Sequence, residues 1–476
     1  MYTEESVGSV RVVEEQGPAQ RVAAVVPSED GAFLDYNRPP RILPHLEPER
    51  FRLPAPPEPP SRRPIPFMVA FAPMFMGLGM VLFMHSYYYL MFMFMSPILM
   101  AANHVSGRRT ARKDFEEKSR TYRQRRASLE EDVRQRVVTE QRLRTESAPD
   151  PAMAGLWGVG PGRRLWERRR GDPDHLALRL GTASQSSLLG IEDAAREDNH
   201  TSVHWTIPDA PFSVDLEHCG VVGLAGETGP VQALARWLTA QAAVLHTPRD
   251  LRIEVLTDKS SEESWDWTRW LPHSRDGLPG SRGGAVTLVG NDPETVANRV
   301  AELVSTLRTR QRAAESTMSK ALLSEPDVLV VMDGARRLRD VPGVVSILKE
   351  GPSVRIFPLC LDHEERLLPE ECTAVVRYEN QRLTLRRTGL PAIGDIRPDL
   401  VEPAWCERLA RGIAPIHDVT PDASEGLPDR VGLLDLLGLP QPSGEAVAAR
   451  WAARPASTEV LLGAGYAGPA PLGPVN

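Results

Sequence analysis

The chain has 476 residues, a formal net charge of -7 and 25% charged residues. That length exceeds one ordinary core and predicts two or three folded units, and the acidic balance excludes an overall nucleic-acid footprint. The 43 prolines are too many for one compact domain and predict extended linkers. Four scattered cysteines (Cys219, Cys360, Cys372, Cys406) lack the short spacing of a metal site and read as reduced, mostly buried thiols.

Residues 1–61 are polar, acidic and Pro-rich, with no apolar core of a signal peptide, and are expected to be a disordered cytoplasmic segment. From Ile65 to Met84 the sequence IPFMVAFAPMFMGLGMVLFM carries no charge, and a second such run extends from Tyr87 to Val105. Each is about the length that crosses a bilayer, so residues 62–106 predict a two-helix transmembrane hairpin. Nine of the 13 methionines fall there and neither run has a polar face, which disfavours a buried hairpin of a soluble core. Pro73 and Pro97 are tolerated in membrane helices, and Tyr87, Tyr88 and Tyr89 at the turn suit a headgroup layer. Arg62 and Arg63 precede the hairpin, while Arg108, Arg109, Arg112 and Lys113 follow it. Positive flanks on both sides predict a multi-pass plasma-membrane protein with both termini cytoplasmic.

Residues 107–147 are highly charged and free of proline. The sparse apolar residues Phe115, Tyr122, Leu129, Val133 and Val137 recur in steps of seven, seven, four and four, which places them on one helical stripe. A helical stalk continuing from the second membrane span is predicted, able to self-associate along that stripe, with a basic front that suits anionic lipid. Its charges read equally as those of a solvated single helix. A Pro/Gly stretch (Ala148 to Gly162) ends it, and LWERRRGDPDHLALRLG (Leu165 to Gly181) predicts a turn and a short strand near Leu176 to Leu180.

After a polar insert around Ser184 to His200, short apolar runs alternate with helical patterns. Strands are predicted at Val203–Ile207, Phe212–Leu216, Gly220–Leu224, Leu251–Leu256, Ala285–Val289, Val328–Met332 and Arg355–Leu361. Helices are predicted at Val231–Leu245 and Pro293–Arg312, and a β-hairpin at Cys372–Arg387. Alternation of this kind predicts an α/β fold over residues 163–400, a mostly parallel sheet covered by helices. A helical segment (401–440) and a linker or tail (441–476) complete the chain.

Two points bear on nucleotide chemistry. A P-loop needs a strand, a Gly-rich turn and a helix whose N–H groups hold phosphate, then Lys and Ser or Thr for phosphate and magnesium. Gly223-Leu-Ala-Gly226-Glu-Thr-Gly229 supplies the strand, the glycines and the helix, but Pro230 stands where Lys belongs and Val231 where Ser or Thr belongs. Asp333, closing Asp327-Val-Leu-Val-Val-Met-Asp333, holds the magnesium-binding place at a strand's end, followed by Gly334 rather than Glu. Gly223, Gly226, Gly229 and Asp333 are thus a weak, degenerate nucleotide site or a relic of the fold. Hydrolysis by this chain alone is not expected, and no catalytic residue or metal site is defended. Trp265, Trp267 and Trp270 form an aromatic knot that reads as an interface or a core anchor, and His273 beside it reads as structural.

Taken in order, these pieces resemble the N-terminal part of the EccC/EssC type VII secretion ATPases of the FtsK/SpoIIIE group. The strings that carry the resemblance are LWERRRGDPDHLALRLG, VDLEHCGVVGLAGETG (Val214 to Gly229), WDWTRWLPH (Trp265 to His273), LPEECTAVVRY (Leu368 to Tyr378), ERLARGIAPI (Glu407 to Ile416) and VGLLDLLGL (Val431 to Leu439). The resemblance implies a membrane-anchoring and coupling part of a motor that exports small WXG-type proteins. It implies partners among the membrane proteins of a secretion core and hexameric self-association. ATP and Mg2+ are the implied cofactors, weakened or lost here because Lys is absent. Family members continue into FtsK-like modules with intact motifs, whereas this sequence ends near where the first would start, as a fragment or as a subunit without its own motor. Two other readings stand beside it: the membrane-proximal part of an FtsK-like DNA translocase, and a non-hydrolysing nucleotide-sensing regulator.

Overall fold

A computed structural model describes residues 25–28, 31, 33–41, 48–59, 89–160, 162–193, 203–276, 286–316 and 325–420, with shorter stretches between 432 and 472. Strands β1 (Val25–Pro27), β2 (Leu34–Tyr36) and β3 (Arg50–Leu53) come first, then helix α1 (Tyr89–Ser147) and helix α2 (Pro151–Val159). They are followed by the long strands β4 (Ala177–Asp193) and β5 (Val203–Asp215) and the short helix α3 (Leu216–Cys219). The α/β unit then runs β6 (Val222–Ala225), α4 (Thr228–Leu245), β7 (Leu251–Leu256), α5 (Glu262–Trp265), β8 (Arg275–Asp276), β9 (Val286–Thr287), β10 (Val289–Gly290) and α6 (Pro293–Ser316). It continues β11 (Asp327–Asp333), α7 (Ala335–Arg339), α8 (Val344–Glu350), β12 (Ile356–Asp362), β13 (Ala374–Glu379), β14 (Arg382–Arg387), β15 (Ile393–Pro398), α9 (Pro403–Ile413) and β16 (Ile416–Asp418).

The main sheet has the order β10-β7-β11-β12-β6-β13-β14-β15-β4-β3, with β5 paired to β4. Pairing is parallel from β10 to β13 and antiparallel from β13 to β4. Strand β11 shows why the central strands sit inside: all seven residues are buried, as a strand covered on both faces requires. Alternate residues point to opposite faces. Leu329 and Val331 join the core beneath α4, while Val328, Val330 and Met332 join the core beneath α6 and α8. The α/β sheet covered by helices is therefore present.

The transmembrane part of the expected fold is not. Among the described residues no helix is long and apolar enough to cross a membrane. The apolar start of α1 ends at Val105, and Arg108 and Arg109 follow within the same continuous helix, short of the ~20 apolar residues that a crossing helix needs. The second arm of the predicted hairpin is thus the head of the stalk helix, and the predicted multi-pass placement in the plasma membrane falls with it. The first arm, Ile65 to Met84, lies outside the described residues.

Other boundaries moved for identifiable reasons. The polar insert from Ser184 is the second half of β4 as far as Asp193, paired along its length with β5. Its polar side chains are engaged by α1: Ser187 Oγ donates to Glu140, and Arg144 donates to Gln185 Oε1 at 3.0 Å. Three short strands lie among the described residues of 1–61. Tyr36, fully buried, donates its hydroxyl to the carbonyls of Gly162 (3.0 Å) and Leu165 (3.1 Å). β2 pairs in parallel with β16, so residues on either side of the α/β unit meet in one small sheet.

Candidate functional site

The Gly-rich loop and Asp333 come together at the carboxyl edge of the sheet, with β12 inserted between β6 and β11. An open α/β sheet binds ligands at this edge. Gly223 lies in β6, where an added Cβ would meet Leu368 at 2.6 Å. Gly226 has φ +141, and a Cβ there would stand 2.6 Å from the carbonyl oxygen of Tyr378 at the end of β13. The loop therefore keeps its glycine for a close backbone approach. Gly229 has open space around it, and Glu227, Thr228 and Gly229 are exposed. Helix α4 starts with no side-chain cap, and the only charge in its first turn region is that of Glu227.

The places that hold Lys and Ser or Thr in a P-loop are filled by uncharged residues. Pro230 is half-buried, and Val231 is turned into the core at 3% exposure. Asp333 ends β11 at 9% exposure. Its Oδ2 accepts the indole N–H of Trp265 at 2.8 Å and the amide of Gln232, from α4, at 2.9 Å. Gln232 is itself tied to Ser261 (3.1 Å) and Ser264 (3.1 Å). Burial raises the Asp333 pKa above the ordinary carboxylate value and Asp258 adds to the rise, against the hydrogen bonds from Trp265, Gln232 and Ser261. Gly334 follows at φ +81, in the left-handed region, where Glu would be strained.

Two of the three arginines of α7, Arg337 and Arg339, are engaged in ion pairs. Arg337 pairs with Asp258 at 3.0 Å and donates to the Asp333 carbonyl at 3.2 Å. Arg339 pairs with Glu371 and Glu370. Asp362, at the end of β12, accepts the backbone N–H groups of Arg336 (3.1 Å) and His363 (2.9 Å). Among the described residues no cluster of three or more metal-ligating side chains occurs.

The four site residues of the sequence reading thus share one edge of the sheet. The two residues that decide its character, Gln232 and Trp265, were not in that set. Trp265 was visible as one member of the tryptophan knot. The knot is mostly core: Trp265 and Trp267 are 1% and 3% exposed. Trp270 is half-buried, with the Arg411 guanidinium 4.1 Å from its ring centroid. His273 is structural, fully buried and bonded to the carbonyl of His246 at 2.8 Å; burial pushes its pKa down to about 4.

The LWERRRGDPDH string serves the opposite edge. Asp327, the first residue of β11 and fully buried, meets Arg355 at 2.6 and 2.7 Å, His175 at 2.8 Å and Arg170 at 3.3 Å.

No family model matches the chain. Among curated proteins it is similar to the ESX secretion system protein EccC of Thermomonospora curvata, 27% identical over 355 residues, which is 68% of this chain and 25% of that protein. It is similar also to EccC4 of the ESX-4 secretion system of Mycobacterium tuberculosis, 29% identical over 265 residues, 52% of this chain and 21% of that one. Among solved structures, the cytoplasmic domain of Thermomonospora curvata EccC superposes at a TM-score of 0.36 with 15% identity, covering 67% of this chain and 39% of that one. A score that low adds nothing to the sequence match. The chain spans about a quarter or less of the length of the curated relatives it matches. By sequence, the chain is a relative of the EccC/EssC proteins, the type VII secretion ATPases of the FtsK/SpoIIIE kind.

Proposed function

We propose that this chain is a coupling module of a type VII secretion ATPase, one that transmits rather than performs ATP hydrolysis in the export of WXG-type proteins. The observation that carries the reading is the engagement of Asp333 Oδ2 by both Trp265 and Gln232, opposite a loop whose Lys and Ser/Thr places hold Pro230 and Val231. A magnesium–nucleotide needs a free carboxylate and a cation on the phosphates, and these residues do not fit it. Gly223, Gly226 and Gly229 then serve as close-packing positions, and residues 163–400 are the coupling unit. Its partners in this reading are other proteins of the secretion core and further copies of the chain in a hexamer.

The test is calorimetric titration of the full chain with ATP and Mg2+, beside deletion of its gene in the producing organism. The reading expects no saturable heat up to millimolar ATP, none gained by P230K/V231T, and loss of WXG-type export restored by wild type and by D333N alike. Saturable, Mg2+-dependent ATP binding that vanishes in D333N would instead establish the nucleotide-sensing regulator. Normal export after deletion would remove the secretion role.

A further inference from the structure

Cys360 and Cys372 are brought to one place by a glycine. Cys360 lies in β12, in register with Gly223 of the parallel neighbour β6, and is fully buried in the core beneath α6 and α8. Cys372 lies in the turn before β13, partly exposed, and packs against that same core. Its Sγ stands 3.1 Å from where a Gly223 Cβ would be, so the missing side chain of β6 leaves the space in which the two thiols meet. We propose that Cys360 and Cys372 form a reversible disulfide, a redox switch that staples β12 to the approach to β13 across β6.

The surroundings favour this pair and no other. Cys219 and Cys406 sit in the core beneath α4 instead. The turn that carries Cys372 is held in place: its N–H donates to the Pro369 carbonyl at 3.1 Å, and Glu370 and Glu371 pair with Arg339. β12 and β13 flank β6, and β6 leads into Gly226, which abuts the Tyr378 carbonyl at the end of β13. The bond would therefore fix the strands on both sides of the Gly-rich loop. A low-molecular-weight disulfide such as oxidised glutathione supplies the oxidant. The Cys372 thiolate attacks one of its sulfurs, a mixed disulfide forms on Cys372, and the first small thiolate leaves and takes up the Cys372 proton. Cys360 then attacks Cys372 Sγ, the mixed disulfide breaks, and the second small thiol leaves with the Cys360 proton. Two protein thiols are oxidised and one small disulfide is reduced to two thiols. Cys372 is the entry because Cys360 is shut off from solvent. Hydrogen bonding with Cys372, then burial, holds the Cys360 thiol protonated well above the ordinary thiol range, so it is inert until Cys372 is activated beside it. The inference does not depend on the coupling role.

The experiment incubates the reduced full chain, under native conditions, with oxidised glutathione. Intact mass, peptide mapping without reduction and thermal melting are then read. A loss of two hydrogens, a Cys360–Cys372 linked peptide and a melting midpoint raised by several degrees are expected, all reversed by dithiothreitol. C219S/C406S should cross-link as the wild type does. C360S should stop at glutathione carried on Cys372, and C372S should form neither adduct nor cross-link. Four free thiols after prolonged oxidation, a stable glutathione adduct in the wild type, or a cross-link between other cysteines would overturn the pairing. Complete cross-linking with unchanged melting would remove the switch.

Discussion

Asp333 and His273 show how burial alone redirects a titratable side chain. The Asp333 pKa is raised, chiefly by desolvation, so ionising it at neutral pH opposes folding. Asn at this position still accepts from Trp265 and Gln232 without the charge. D333N is therefore expected to melt at or above the wild-type temperature, read by differential scanning calorimetry; a loss of several degrees would mean that the negative charge is needed. W265F works the other way, because it removes one of the donors to a buried carboxylate. A loss of about 1–3 kcal/mol is expected in urea unfolding, and it should shrink in the D333N background, where the acceptor left short of a donor carries no charge. His273 bears on acid stability. Its folded pKa is about 4 while the unfolded side chain titrates near 6.5. Between those values the unfolded chain binds a proton that the folded chain does not, so stability falls as pH drops through the window. The urea midpoint should decline from pH 7 to pH 4.5, and less steeply in H273Q, which keeps a donor for the His246 carbonyl.

At the scale of elements, packing rather than charge decides. Helices α2 and α9 cross so closely that a Cβ on Gly412 would stand 2.8 Å from the Gly158 carbonyl oxygen and 3.0 Å from Val159 Cα. Backbone cannot yield as a flexible side chain does, so G412A should separate the pair at a cost of about 1–3 kcal/mol, measured as a lowered urea midpoint. The elements legible in the sequence were those whose own residues carry the signal. β11 is an unbroken apolar run and β7 matches its predicted bounds, Leu251 to Leu256. The hairpin of β13 and β14 turns on Asn380 and Gln381, both at positive φ as a two-residue turn requires. β4 was half missed because Gln185, Ser186 and Ser187 are polar residues whose partners sit 41 to 47 positions away on α1. The edge that brings Asp333 to Gly226 follows from strand order, which a single sequence reveals only through the alternation of elements. Trp265, 68 residues from Asp333, left no local sign of its pairing. The apolar runs misled for a different reason: a window without charges reads as a span, yet the described helix has only Tyr89 to Val105 before Arg108 and Arg109, short of a crossing length.

At the scale of the whole molecule, the long helix α1 is held at one end. From Val133 onward it packs on β3, β4 and β5: Val133 is 1% exposed, and Glu140, 4% exposed, takes the Leu188 N–H at 3.0 Å beside Arg144. Arg136 reaches Glu49 at 2.6 Å, and Gln141 the Pro208 carbonyl at 3.3 Å. Residues 105–114 are exposed throughout, and between them and Val133 only the stripe positions Phe115, Tyr122 and Leu129, with Ser119 and Glu130, are less than fully exposed. That part has only local support, such as the Arg112–Glu116 and Arg126–Glu130 pairs, worth a few tenths of a kcal/mol each. Helix propensity and such pairs hold an isolated helix only marginally. Amide hydrogen exchange on the full chain should therefore split α1 near Val133, with slow exchange from residue 133 to 147 and fast exchange from 106 to 128. E140A, which removes the carboxylate that binds the tip of β4, should speed exchange in the lower segment and leave the upper one unchanged. Uniform slow exchange along α1 would mean that the upper stripe is covered in solution. Its dependence on protein concentration would then identify a second copy as the cover, because self-association is the only source of protection that dilution removes.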